Sequence, residues 1–439
     1  MADVFPTQSA IASTQLSQLR KLLAALEPAN RFYHQKFVAA GVTTEVASLE
    51  DFAQRFPFTT KGELVEDQLA HPPYGTNLTS PLGEYTRCHQ TSGSSGTPLR
   101  WLDTPESWEW MLNNWKQVYR AAGVTRSDRI FFAFSFGPFL GFWTAFESAL
   151  SLGCLSLPGG GLSSGARLRT IIDHGATVLC CTPTYGNHLA EVAFDEKIDL
   201  SVCRIKTLIV AGEPGGSVAA NRNRLSESWR GARVVDHYGM TEVGPVTYEC
   251  PARAGVLHVI ETSYHAEIID AETTQPVRPG KSGELVLTTL GRTASPLLRY
   301  RTGDLVKPAS HITTHNASTL NPQPCACGRY DLALEGGILG RTDDMVVVRG
   351  VNIFPSAIEE IIRASDAVAE YQVTVHSTQT LPELSIQVEP SANREDSQAL
   401  VEQLEKKFQT AFSLRIHVSA VSRGTLPRFE MKARRWVRA

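Results

Sequence analysis

Four short, almost wholly apolar runs constrain this chain more than any other feature. They are "RIFFAF" (129–134), "TVLCC" (177–181), "TLIVAG" (207–212) and "RVVDHYG" (233–239), and amphipathic helical stretches separate them. A strand that is apolar at every position must be covered on both faces. Alternation with helices therefore predicts a parallel sheet flanked by helices, an α/β fold. From about residue 256 the texture changes: "VLHVIE", "HAEIID", "GELVLTTL" and "DLVKP" are short strands between Gly/Pro turns, which predicts an antiparallel β subdomain over about 256–340. The first 70 residues read as helices, with Leu16, Leu19, Leu22, Leu23 and Leu26 on one face. The last hundred read helix–strand–strand–helix–strand, a small α+β domain. At 439 residues the chain exceeds a single core. The expected division is a large N-terminal domain, 1–342, and a small mobile C-terminal domain, 343–439.

Net charge is −3 with both signs interspersed, which argues against a dedicated nucleic-acid or anionic-membrane binder. The uncharged, aromatic-rich stretch Ile130 to Phe146 falls short of the roughly 20 residues of a membrane helix and contains a Gly-Pro. The opening "MADVFPTQSAIASTQ" has neither a basic start nor a long apolar core, so it does not read as a secretory signal. A cytoplasmic protein is expected. Cys154, Cys180, Cys181 and Cys203 lie in apolar surroundings and read as core residues in a reducing compartment.

Chemistry concentrates in a few motifs. In "QTSGSSGTPLRW" (90–101), Thr91, Ser92, Gly93, Ser94, Ser95, Gly96 and Thr97 offer hydroxyls and unobstructed backbone N–H groups, as a phosphate cradle does. The Walker spacing and its lysine are absent, and a Ser/Gly linker is the bland alternative. "DHYGMTEVGP" (236–245) ends an apolar strand with an aromatic, a hydroxyl and a carboxylate. There Tyr238 can stack on a purine, Thr241 can donate to phosphate and Glu242 can ligate Mg²⁺. "LRYRTGD" (298–304) ends in a turn carboxylate, Asp304, suited to two ribose hydroxyls. "GRTDDMVVVRGVNIFPSAIEE" (340–360) joins a basic residue to a paired-Asp turn, an apolar strand and a glycine loop. "LPRFEMKARR" (426–435) carries Lys432.

Together and in this order, these motifs, with "AGEPGG" (211–216), resemble the adenylate-forming superfamily of acyl-CoA synthetases. The likeness is greatest to phenylacetate–coenzyme A ligases and their relatives, and it spans about residues 30 to 435. It implies a two-step ligase. A carboxylate attacks the α-phosphate of Mg·ATP, pyrophosphate leaves, and a thiol, usually coenzyme A, then displaces AMP from the acyl-adenylate. By the same likeness residues 91–97 wrap the β- and γ-phosphates, Lys432 bridges carboxylate and α-phosphate, and Glu242 with Mg²⁺ neutralises developing charge. Asp236, His237, Tyr238, Gly239 and Met240 line the adenine side, with Glu213 and Pro214 beside the base. Asp304 holds the ribose, Arg341 reaches ribose or phosphate, Asp343 is the pivot of the C-terminal domain, and Gly350 faces the thiol channel. Two positions depart from the pattern. Leu99 stands where many members have a lysine closing the phosphate loop, although phenylacetate-ligase relatives often lack it too. Met431 precedes Lys432 where relatives usually have glycine.

Two further expectations are more local. Cys250, His258, Cys325 and Cys327 make a chemically reasonable tetrahedral Zn²⁺ shell, structural because all four positions come from protein. The Cys-x-Cys spacing is uncommon for zinc, unligated surface thiols are the alternative, and likeness to some phenylacetate-ligase relatives favours the metal. "FAFSFGPFLGFW" (132–143) and Tyr185 lie where the family builds its acyl pocket, so Phe136, Phe139 and Tyr185 are the expected walls for an apolar small-molecule acid, an aromatic one being favoured. The acceptor stays open between coenzyme A, a carrier-protein thiol and an amine. A catalytically silent nucleotide-binding homologue is the third reading, and a homodimer is suggested by the family alone.

Overall fold

The apolar runs form short parallel strands. The computed structural model describes residues 5–91, 97–278, 280–309, 323–342, 346–348, 351–353, 355–365, 367–376, 383–391, 397–429 and 435–439. By contacts the chain falls into two units, Met1–Gly161 with Val235–Ile338, and Leu162–Val234 with Leu339–Ala439. In the first unit Arg129–Phe132 pairs in parallel with Leu155–Pro158. In the second, Val178–Cys181 pairs in parallel with Thr207–Val210, and every residue of both is buried. Cys180 and Cys181 are thus core residues, as is Cys154, while Cys203 is half-buried.

The expected N-terminal helices form at Gln8–Ala29, Arg31–Ala40, Leu49–Arg55 and Lys61–Ala70. Leu19, Leu22, Leu23 and Leu26 are buried, but Leu16 is only half-buried. The stripe continues instead through Gln15 and Ile11. Gln15 tolerates burial because its amide donates to the carbonyls of Glu261 (2.9 Å) and Tyr264 (2.8 Å). The antiparallel sheet has six strands in the order Thr247–Glu249, Val256–Val259, Ala333–Arg341, Tyr300–Pro308, Gly283–Thr289, Tyr264–Ile269. It thus begins earlier than the texture change suggests. The segment 307–324, rich in Pro, Thr, Asn and His, is expected as an irregular loop; Lys307 and Pro308 instead end strand Tyr300–Pro308, and 310–322 lie outside the described residues.

The C-terminal segment is α+β. Its four-stranded sheet runs in the order His417–Ala420, Glu383–Pro390, Val368–His376, Trp436–Arg438. Helices Pro355–Arg363 and Ser397–Phe412 supply Ile358, Ile362, Leu400, Leu404 and Phe408 to a core shared with Val373, Ile386 and Val418. The last strand was not apparent in the sequence, where "KARRWVR" reads as a basic patch. Arginines tie this segment to Leu162–Val234 within the second unit. Arg224 donates to the Val368 carbonyl (2.8 Å), Arg428 lies between Glu389 (2.7 Å) and Glu191 (3.8 Å), and Arg435 donates to Glu370 (2.6 Å) and Thr184 (3.2 Å). Among the described residues no helix is long and apolar enough to cross a membrane.

Candidate functional site

The chain leaves strand Arg233–Asp236 and, now within the first unit, turns into a two-residue-per-side hairpin, Gly239–Met240 against Gly244–Pro245. The turn requires its glycines. A Cβ on Gly239 would lie 2.7 Å from the Gly244 carbonyl oxygen, and Gly244 itself has φ +87°. Thr241 and Glu242 are thereby carried at the hairpin tip, with Glu242 buried. The Tyr238 backbone N–H donates to Thr247 Oγ1 (2.9 Å), and its phenol donates to Asp304 Oδ2 (2.6 Å). Aromatic ring and carboxylate, 66 residues apart, are thus joined into one surface. Asp304 is not in a turn, as its Thr-Gly-Asp context suggests, but inside strand Tyr300–Pro308. Pairing with Gly283–Thr289 is irregular there and Gly303 has φ +74°. That distortion gives the local look of a turn without ending the strand.

Burial of the Tyr238 phenol, reinforced by the Asp304 carboxylate, pushes its pKa well above the ordinary value, so it stays a donor. His237 is packed against Trp115, with centroids 4.4 Å apart, and its Nδ1 lies 2.6 Å from the Thr247 carbonyl. Burial lowers its pKa to about 4, so it is neutral at physiological pH. Asp236 is also buried; its Oδ1 accepts from the His237 N–H (2.9 Å).

Two partners of Glu242 carry no sequence signal. Arg292, wholly buried, donates from Nη1 to the carbonyls of Thr241 (2.8 Å) and Glu242 (2.9 Å). Its other face forms a two-pronged pair with Asp103, at 2.7 and 2.6 Å. Lys61 Nζ lies 3.6 Å from Glu242 Oε1. Both contacts span long sequence distances and are supplied by fold alone.

The phosphate-loop candidate is closed at its base. The Thr91 N–H donates to the Leu99 carbonyl (2.9 Å), and the Leu99 N–H returns a bond to Thr91 Oγ1 (3.0 Å). Thr97 is exposed, and Ser92, Gly93, Ser94, Ser95 and Gly96 lie outside the described residues. So do Asp343, Gly350 and Lys432.

In the second unit Glu213 Oε1 accepts from the Thr184 N–H (2.8 Å) at the start of helix Pro183–Asp195, and Pro214 is exposed. Tyr185 is buried, with its hydroxyl 3.0 Å from Ser164 Oγ and the Arg167 guanidinium 5.0 Å over its ring. Arg341 ends strand Ala333–Arg341. Of the expected acyl walls, Phe136 and Phe139 fall in the first unit within a half-buried aromatic group. Phe136 meets Trp143 edge-on at 5.2 Å and Phe146 at 5.4 Å, while Phe139 meets Phe142 at 5.9 Å. Phe136 has φ +53°, a left-handed conformation that costs a bulky residue of order 1–3 kcal/mol and tends to mark ligand sites.

The four metal-ligand candidates also converge. The ligand atoms of Cys250, His258, Cys325 and Cys327 lie within 4.8 Å of one another. Cys250 and Cys325 sulfurs are 3.7 Å apart, and Cys327 Sγ is 3.5 Å from His258 Nε2. A tetrahedron with Zn–S bonds of about 2.3 Å has edges of about 3.8 Å, so the spacing fits the ion. His258 Nδ1 lies 2.9 Å from the Asp331 carbonyl, which fixes the tautomer that leaves Nε2 free to ligate.

The first unit thus joins Tyr238 to Asp304 and carries Glu242 at the neighbouring hairpin tip. The family model described as "AMP-binding enzyme" matches residues 90–292, and that of the "AMP-binding enzyme C-terminal domain" matches 350–438. The phenylacetate–coenzyme A ligase of Thermus thermophilus is 30% identical over 96% of this chain and 94% of its own length. That of Escherichia coli is 30% identical over 91% and 88%. A solved 2-hydroxyisobutyryl-CoA ligase in its postadenylation state superposes with TM-score 0.90 at 28% identity, covering 100% of this chain and 91% of that one. The chain belongs to the adenylate-forming superfamily, within the family of phenylacetate–coenzyme A ligases and their relatives. It is an AMP-forming acid–thiol ligase.

Proposed function

We propose that the protein activates an apolar, aromatic carboxylic acid of the arylacetic type and transfers it to coenzyme A. The acid's carboxylate oxygen bonds to the α-phosphorus of Mg·ATP, the bond to the β-phosphate breaks, and pyrophosphate departs. The thiol sulfur then bonds to the acyl carbon and AMP leaves. Tyr238 with Asp304 at the base and ribose, and Glu242 as the Mg²⁺ ligand, are the binding groups in this reading. Residues 91–97 hold the outer phosphates, and Lys432 bridges the reacting pair. Residues 343–439 move as a domain about Asp343, with Gly350 facing the thiol.

The observation that carries the acid's class is the group of half-exposed rings around Phe136. A small branched hydroxy acid is the second reading, on the strength of the ligase that superposes at TM-score 0.90. Thioester formation over a panel of arylacetic, benzoic, aliphatic and 2-hydroxy acids separates them. Arylacetic acids should give the highest kcat/KM, and Phe136→Ala should lower it roughly 10-fold for them while sparing small acids. Preference for the hydroxy acid, unchanged in the variant, would replace the aromatic reading with the second.

We also propose that Cys250, His258, Cys325 and Cys327 hold a structural Zn²⁺. It would join the strands Thr247–Glu249 and Val256–Val259 to the turn at 325–328. Elemental analysis should find one zinc per chain. Cys325→Ser should abolish it and destabilise the fold by about 2 kcal/mol or more. Metal-free protein of unchanged stability would rule the site out.

A further inference from the structure

The phosphate-loop candidate ends at Leu99, which is 1% exposed and has its backbone N–H committed to Thr91. This position therefore brings no charge to the anions that such a loop would gather. A triphosphate carrying one Mg²⁺ is still anionic, and Glu242 adds another negative charge beside it. A cation is needed nearby.

We propose that Lys61 supplies it, as a direct contact to the β,γ-phosphates of ATP; this rests on the reading of Glu242 as the Mg²⁺ ligand. The ammonium sits 3.6 Å from Glu242 Oε1, in ion-pair range but beyond a good hydrogen bond. Its side chain is 38% exposed against 6% for Glu242, so it is loosely held and open to a ligand. The backbone beneath it, by contrast, is fixed. Thr59 bridges to the strand that carries Asp304, with its N–H donating to Arg299 O (3.0 Å) and its carbonyl accepting from Arg301 N–H (2.9 Å). A capping box between Thr60 and Glu63 then starts the helix at Lys61 itself. Glu63, the nearest competing carboxylate in sequence, is taken by Lys36. Helix stability does not explain the lysine, since a cation in the first turn opposes the helix dipole by roughly 0.3–1 kcal/mol. When Mg²⁺ occupies Glu242, the ammonium is freed to turn to phosphate oxygen.

The test is calorimetric titration of the full chain, as wild type, Lys61→Met and Lys61→Arg, with Mg²⁺ plus a non-hydrolysable ATP analogue and, separately, with AMP. A charge-assisted phosphate contact predicts that Lys61→Met weakens the analogue by roughly 10- to 100-fold. AMP binding should stay within about 3-fold, and Lys61→Arg should recover most of the loss. Equal loss of analogue and AMP would mean a structural role and overturn the proposal, as would unchanged analogue binding. Wild-type protein that binds no Mg-loaded analogue would instead overturn the underlying reading of Glu242.

Discussion

Replacing Asp103 with leucine should destabilise the protein by about 3–5 kcal/mol, the usual cost of stranding one member of a buried ion pair. Arg292 and Asp103 are both fully buried, and the guanidinium lies 5.3 Å over the Trp101 ring with no water-exposed face. Without the carboxylate, a full positive charge stays in the core with only two carbonyls to answer it. The midpoint of the first cooperative urea transition measures this. The double variant Asp103→Leu/Arg292→Met separates stability from chemistry. Apolar replacement of both partners should restore much of the loss. Adenylation should stay low, because the carbonyls of Thr241 and Glu242 lose the donor that holds the hairpin tip. A double variant with wild-type adenylation would show that the clamp does not position Glu242.

Glu242→Gln should lower adenylation by about 10²- to 10³-fold, the range for losing one preorganised electrostatic stabiliser of a transition state. The amide keeps the shape of the buried side chain but not the charge that a hard divalent cation needs. Stability should change little and AMP binding should persist, since Tyr238 and Asp304 contact each other rather than Glu242. Raising Mg²⁺ should recover part of the rate. Activity within about 3-fold of wild type would remove Glu242 from the metal.

Much of this was legible in the sequence, and the reason is local. Strands such as Val178–Cys181 are apolar throughout because both faces are covered. Leu400, Leu404 and Phe408 keep helical spacing because one helix face meets the C-terminal core. The Tyr238–Glu242 motif stands out because its residue types are unusual just after an apolar strand, and Asp304 because a carboxylate follows Thr-Gly. What the sequence does not signal depends on distance or ambiguity. Asp103 and Arg292 are 189 residues apart, and neither has a distinctive neighbourhood. Lys61 lies in "TTKGE", which carries no distinctive signal and in the structure forms an ordinary capping box. Asp304 reads as a turn residue because Gly303 precedes it; the strand absorbs the glycine as an irregularity. Trp436–Arg438 is short and follows Lys432, Arg434 and Arg435, which hide it in a cationic run, yet it pairs in parallel with Val368–His376 at the sheet edge.

Adenylation of an acid is tested most directly by acid-dependent exchange of labelled pyrophosphate into ATP with no thiol present. Exchange is expected with an arylacetic acid and should be lost in Glu242→Gln and Lys432→Ala. Absence of exchange with every acid tried, or exchange indifferent to the acid, would contradict adenylation.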